Sequence, residues 1–346
     1  MIGPSGAKEM FKQAAKGEII RASVLAPMMR ALKADGRPDD LVRQCGISHA
    51  HLRDPYAVMP LSRYVALFEN LAKTLENPTL GVRIGLATRA GDLGPLGILF
   101  TNSATLRVAV TRLSRYIMAL QGGTYVGLQQ LGEFGTWSYG IEDRVIWPRR
   151  QDSEYSIVVG CALVREGLGA DWSPVEVHFE HDENENRPML ERFFRTTLRF
   201  RQPANRLLIA NADLDRPFHC EDSDLTCFLE RHINDLAAEH KDESGLRNRV
   251  RAMIAASIGL ERITIKQLAQ DLHCSQRTLQ RELARNGTSL RFLIREHRQT
   301  AAEMRISEGD MSNAAIAHAV GYADSTVFGR AFKSWTGASP SQFRRR

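Results

Sequence analysis

The stretch VGYADSTVFGRAFKSWTG, residues 320–337, places two opposite demands on one short helix. Phe328, Phe332 and Trp335 recur at helical spacing and require a core. Between them Ser325, Thr326, Gly329, Arg330 and Lys333 give an outer face of small hydroxyls, a glycine and two cations. The same pattern occurs earlier. LAQDLHCSQRTLQRELA (268–284) matches IAHAVGYADSTVFGRAFK (316–333) in its aliphatic-Ala start, its short break and its apolar-x-Arg-x-apolar resumption. The second copy carries one more residue in its turn.

Each copy reads as a helix, a tight turn and a second helix. Ala269 and Ala317 let two steeply crossing helices approach, and the apolar positions leave the second helix projecting outward. That helix fits a B-DNA major groove about 12 Å wide. Arg330 can fork to a guanine edge, Ser325 and Thr326 can meet bases or phosphate, Gly329 permits close approach, and Lys333 suits phosphate. In the first copy the outward set is Arg277, Gln280 and Arg281. Thr264 and Ser275 stand where helix N-caps belong. The competing reading is a basic outer face on an ordinary helical bundle. Two copies in register weigh against it.

Charge points the same way. Residues 246–346 hold 17 Lys/Arg against 8 Asp/Glu, whereas the first 245 residues hold 29 against 32. A basic end on a slightly acidic body suits a polyanionic partner for that end alone.

The last hundred residues closely resemble the DNA-binding domain of AraC-type bacterial transcription regulators. IAHAVGYADSTVFGRAFKSWTGASPSQFRR carries the resemblance: the Ile-Ala start, the Gly-Tyr turn, Phe-x-Arg-x-Phe-Lys, Thr-Gly, Ser-Pro and a closing Phe-Arg. It implies two helix-turn-helix units joined by a rigid helix at about residues 290–307, some 27 Å long at 1.5 Å per residue. Such a helix can hold two recognition helices near the ~34 Å spacing of successive major grooves. The first turn departs from the family's usual glycine, with His273 in its place.

Upstream, residues 21–90 read mostly as helix, broken at Asn77-Pro78. A further amphipathic helix starts from Ser103 or Thr105, with Leu106, Val110, Leu113 and Ile117 on one face. From Gly122, TYVGLQQLGEFGTWSYGIED reads as a β-meander. RRQDSEYSIVVGCALVREGLG reads as helix, VEVHFEHD as a half-buried strand, RPMLERFFRTTLRF as helix, and NRLLIANADLD as strand and turn. The expected architecture is a frayed or weakly helical lead-in (1–20), an α+β effector-sensing domain (21–220), a connecting helix and linker (221–245), and an all-α domain with two helix-turn-helix motifs joined by a linker helix (246–346). EHKDESG (239–245) is the linker. The stretches MPLSRYVALFENLAKTLENPTLGVRIGLATRAGDLGPLGILFTNSATLRVAVTRLSRYI and VEVHFEHDENENRPMLERFFRTTLRFRQPANRLLIANADLDRP make the first domain similar to the sensor of the ornithine-utilisation regulator subgroup. They do not resemble sugar-binding β-barrel sensors.

Other features carry less. His178 and His181 fall on opposite faces of a strand, which disfavours a metal. Glu133, Glu142 and Asp143 read as turn carboxylates. Arg195 and Arg199, one helical turn apart, suit a solvated face better than an anion site. Trp137, Tyr139 and Trp147 suit core better than a pocket, and no effector residue is assigned. No phosphate loop, dinucleotide fingerprint or nucleophile elbow occurs, so neither catalysis nor a cofactor is expected. Five cysteines lack metal or disulfide spacing. No apolar run reaches membrane-spanning length and no leader is recognised, so a cytoplasmic location is expected. The expected activity is sequence-specific transcription regulation, of the activator type, controlled by a small-molecule effector. Expected partners are double-stranded DNA, the effector, RNA polymerase and a second copy of the chain. An enzyme fused to a DNA-binding domain and an effector-free architectural DNA binder are the alternatives. The stripe Leu225, Phe228, Leu229, Ile233 and Leu236 must bury itself, either in the sensor or against a partner surface that couples the two domains.

Overall fold

The computed structural model describes residues 18–34, 54, 57–143, 146–218, 221–238, 245–308 and 311–344. The lead-in up to residue 17, the linker up to residue 244, Cys45 and Cys220 lie outside these. The sensor begins with a small antiparallel pair, β1 (Ile19–Arg21) and β2 (Val58–Pro60). Ile19 and Ile20 are therefore strand, not part of a helical lead-in. Helices α1 (Ala26–Ala34), α2 (Leu61–Thr74), α3 (Leu80–Ala87), α4 (Gly94–Thr101) and α5 (Leu106–Tyr116) follow. Thr105 caps α5 by accepting the Val108 amide.

The centre is a five-stranded sheet in the order β3-β4-β7-β5-β6. Its strands are β3 (Thr124–Leu131), β4 (Phe134–Ile141), β5 (Glu176–His178), β6 (Thr197–Arg199) and β7 (Asn205–Ala210), antiparallel except for β5 beside β6. Helix α6 (Arg150–Leu168) crosses between β4 and β5; α7 (Arg187–Phe194) lies between β5 and β6. The short turn α8 (Asn211–Leu214) and the connecting helix α9 (Ser223–Ala238) complete this part.

Two local expectations fail. The segment 187–200 is not one helix: it stops at Phe194, Arg195 takes φ +57°, and Thr197–Arg199 form β6. Arg195 and Arg199 thus sit on different elements. Arg195 bonds the Ala170 and Trp172 carbonyls, and Arg199 pairs with Glu176 at 2.7 Å. The strand around Val177 covers only residues 176–178, and it is not half-buried. Val177, Phe179 and His178 are all buried, because the sheet is covered on both faces.

The second cover comes from the C-terminal part. Its elements are α10 (Gly245–Ser257), α11 (Ile265–Asp271), α12 (Gln276–Arg285), α13 (Leu290–Glu308), α14 (Asn313–Ala319), α15 (Ser325–Thr336) and α16 (Pro340–Phe343). The register pairs Gly127 with Ser138 and Ser138 with Arg206, so these three share one face. Helix α10 lies on it. A Cβ on Gly127 would come within 2.7 Å of the Ala252 Cβ. Ser138 donates to the Ala252 carbonyl, and Arg206 donates to those of Ala255 and Ile258. Ala252, and Ala255 clustered with Tyr125 and Ala204, make the close approach sterically free. The opposite face, with Val126, Trp137, Tyr139 and Leu207, packs under α4, α5 and α6.

Helix α9 divides its stripe. Leu229, Ile233 and Leu236 are buried, the first two in the sensor's core cluster, while Leu225 is half exposed and Phe228 is 67% exposed.

Candidate nucleic-acid interface and sensor cavities

Two small cores position two outward helices. Leu268, Ala269, Leu279 and Leu283 join α11 and α12 to α10 and α13; Ile316, Ala317, Phe328 and Phe332 join α14 and α15 to the other end of α13. Packing these apolar positions fixes the opposite faces outward. Arg277, Gln280 and Arg281 on α12 are exposed, as are Ser325, Thr326, Arg330 and Lys333 on α15. Arg281 lies 3.5 Å from Glu282, which also pairs with Arg285. A Cβ on Gly329 would meet nothing within 4 Å. The fold itself therefore does not require a glycine there, although one in mid-helix costs about 0.5–1 kcal/mol.

Side-chain caps fix where these helices begin. Thr264 and Ser275 accept amides of the first turns of α11 and α12. Asp324 caps α15, accepting the Thr326 and Val327 amides at 2.7 and 2.8 Å. Those two bonds hold its carboxyl below the usual range. Sequence reasoning missed this cap, although Asp followed by Ser-Thr is its ordinary signature. His273 does adopt a left-handed turn, φ +51°, and Gly321 takes φ +77° in the second turn. The α13 connector has 19 residues, about 28 Å at 1.5 Å per residue.

The first unit, the connector and α10 also touch the sensor. Gln129 of β3 bonds Asp271 at the end of α11. Arg305 of α13 donates to the carbonyls of Glu180 and Gln202 at 3.0 and 2.7 Å. Glu180 is gripped by Arg149 at 2.7 Å, and its carboxyl is held down to about 2 against the cost of burial. Arg251 of α10 bridges Glu142 and Glu296. Glu142 is thus an inter-domain ion pair and not a free turn carboxylate. A cavity of about 70 Å³ lies along this seam, with Trp147, Arg149, Glu142 and His297 in its wall.

The second cavity lies inside the sensor. It measures about 100 Å³ and sits between the helix-side face of the sheet and α6. Trp137, Tyr139, Tyr64 and Tyr155 bring aromatic rings to it, and Asp152 is its acid. So Trp137 and Tyr139 are core residues that also wall a pocket, while Trp147 belongs to the seam. Burial pushes the Asp152 carboxyl up to about 7, against the opposing pull of the Tyr139 hydroxyl and Arg149. His178 contacts Glu176, and His181 lies 3.6 Å from Glu154; burial lowers both imidazoles to about 4. Among the described residues no group of His, Cys, Asp and Glu is arranged to hold a metal ion.

Residues 36–218 match the family model described as the arabinose-binding domain of AraC transcription regulator, N-term, and residues 268–346 match a helix-turn-helix domain. The chain belongs to the AraC family of transcription regulators. Similar proteins include the ornithine utilization regulator of Pseudomonas aeruginosa, 27% identical over 88% of this chain and 93% of that protein. Another is the HTH-type transcriptional regulator VirS of Mycobacterium tuberculosis, 23% identical over 95% of this chain and 97% of that one. The solved transcriptional regulator CdpR of Pseudomonas aeruginosa aligns with a TM-score of 0.43 at 18% identity, covering 89% of this chain and 96% of CdpR. This AraC-family chain is a DNA-binding transcription regulator with a ligand-sensing N-terminal domain. In it the sensing domain is an open five-stranded sheet, and the DNA-binding end supplies that sheet's second cover.

Proposed function

We propose that the chain is a one-component regulator in which effector binding in the sensor changes how the two helix-turn-helix units meet DNA. The observation that carries this reading is the shared sheet. Trp137 and Tyr139 on one face wall the internal cavity, while Ser138 between them bonds α10 on the other. A change in the cavity is one peptide unit away from the DNA-binding end. The base- and phosphate-contacting set is Arg277, Gln280, Arg281, Ser325, Thr326, Gly329, Arg330 and Lys333, with α12 and α15 in successive major grooves. The functional boundary falls near residues 221–245, with α10 as part of the DNA-binding domain that docks back onto the sensor.

Finer parts of the reading follow. The chain works in the cytoplasm with RNA polymerase as a partner, as an activator. It forms a homodimer through the outer face of α9, where Phe228 stands 67% exposed beside Leu225. It turns over no ligand; the relatives' names as regulators support this. The ornithine of one relative's name is a property of that relative. Genome-wide footprinting of the wild-type chain against Arg330→Ala tests the core of the reading. Discrete sites lost in the variant are expected. Uniform, sequence-independent protection by both proteins would return the architectural alternative.

A further inference from the structure

We propose that the cavity between α6 and the β3-β4-β7 face is the effector site, and that it selects a compact monoamine whose ammonium group sits against Asp152. This rests on the effector-controlled reading and narrows it to one site and one ligand class.

Size sets the first limit. About 100 Å³ is somewhat less than an engineered cavity of roughly 150 Å³ that accepts benzene. A body of about five to seven heavy atoms fits. Lining sets the second. Leu113, Val126, Leu163 and Leu207, with the faces of Trp137 and Tyr155, favour an apolar body. Polarity sets the third. Asp152 is buried, and the Tyr139 hydroxyl, at 2.8 Å, is the one hydrogen bond it receives among the described residues. Its other oxygen is free to accept from a ligand. No Lys, Arg or His lines the cavity. The nearby Arg149 is committed to Glu180 and to the Ile141 carbonyl. A ligand carboxylate would therefore meet an acid and no cation, which disfavours an amino acid. An ammonium would meet a carboxylate and several aromatic rings, both attractive to a cation.

The titratable and charged groups around Asp152 come from every neighbouring element: Tyr64 and Glu69 of α2, Tyr139 of β4, Arg149 before α6, Tyr155 of α6, and Glu180 after β5. Desolvation outweighs Arg149, so the unliganded carboxyl sits near neutrality. An incoming ammonium supplies the missing counter-charge and keeps it ionised. The consequence reaches the domain seam directly. Ser153, next in the chain, contacts Glu180 and Asn205, and the Glu180 carbonyl receives Arg305 of α13.

The test is titration calorimetry of the full chain with probes inside the size limit: cyclopentylamine, cyclopentanol and cyclobutanecarboxylate, with butylamine and cyclohexylamine as size variants. The expected result is an amine at least thirtyfold tighter than alcohol or carboxylate. Asp152→Asn should bring the amine down to the alcohol's level. As a second readout on the unmodified chain, amine affinity should rise about tenfold per pH unit from pH 5 to 6.5 and level off by pH 8. Alcohol or carboxylate binding as tightly as the amine, a pH-independent amine affinity, or no binding of any of the three amines at millimolar concentration overturns the proposal. Amine binding that leaves operator affinity unchanged supports the site and sinks the effector-control reading instead, so the two failures are separable.

Discussion

Replacing Arg206 by Met should loosen the DNA-binding end from the sensor without unfolding either. Arg206 is fully buried on β7 and donates to the Ala255 and Ile258 carbonyls at 2.7 and 2.6 Å, where α10 ends. Burial lowers its guanidinium to about 9, which still leaves it charged at pH 7. Two opposed effects must be weighed. Removing the charge relieves a desolvation cost of about 5 kcal/mol, taking roughly 1.4 kcal/mol per pH unit. It also forfeits two charge-assisted bonds of about 1.5–3 kcal/mol each and strands two carbonyls at about 1–3 kcal/mol each. The loss, about 5–12 kcal/mol in all, exceeds the relief by about 3.5 kcal/mol at the centre of its range. That deficit falls on the α10–sheet contact, because the remaining sensor core lies on the sheet's other face. Hydrogen exchange should speed within 245–257 while β3 and β4 stay protected. Thermal unfolding should separate into two transitions. One unchanged cooperative transition with unaltered exchange in α10 would refute the reasoning, and would mean that packing of Ala252 on Gly127 holds the domains alone.

Further outcomes are expected. Arg330→Ala should weaken operator binding by about 1–3 kcal/mol, the scale of one bidentate base contact, with melting unchanged; lost stability with intact discrimination would make Arg330 structural. Gly329→Ala should stabilise α15 by about 0.5–1 kcal/mol yet weaken DNA binding, read by melting and gel shift together. The Asp152 carboxyl is raised to about 7 when folded, so its contribution to stability is present at low pH and is lost as pH rises through 7. Asp152→Asn should therefore gain on the wild type between pH 4 and 7 by up to about 4 kcal/mol and then plateau; melts at pH 5, 6 and 8 test the sign. Phe228→Asp should halve the mass in solution, keep the sensor folded and remove the concentration dependence of its melting, whereas Leu229→Asp and Ile233→Asp should prevent the sensor from folding. Operator affinity of the full chain should fall steeply between 50 and 200 mM salt, as counterion release by a basic surface requires.

The two outward helices were legible because their information is local. Phe328, Phe332 and the caps at Thr264 and Ser275 lie within one or two turns of the residues they orient. The sensor's helices were legible by the same periodicity. Its sheet edge was not. Phe194-Arg195-Thr196-Thr197 gives no glycine to mark the stop, and Arg195 takes a left-handed conformation that side chains rarely adopt. The domain seam was the least visible. Ala252 and Ala255 look like generic helix formers, and Gly127 like an ordinary strand interruption. Only long-range pairing shows that the alanines and the glycine exist for each other. Asp152 was hidden for a related reason: as one acid in a polar helix start, it gains its character only from the rings that the fold brings around it.

The position of α10 bears on how such regulators can be recombined. The polar run EHKDESG invites a cut there when reader modules are exchanged between relatives. A graft joined at that point would bring a foreign α10 onto this chain's Gly127, Ser138 and Arg206, and the swap would fail at a surface far from DNA. Moving the splice to the turn at Gly259, just past Ile258, keeps the native helix on its own sheet. It transfers both helix-turn-helix units but must then match Leu268, Leu279 and Leu293, which pack under that helix. The helix is thus the shared part of two modules, and new combinations have to be designed around it.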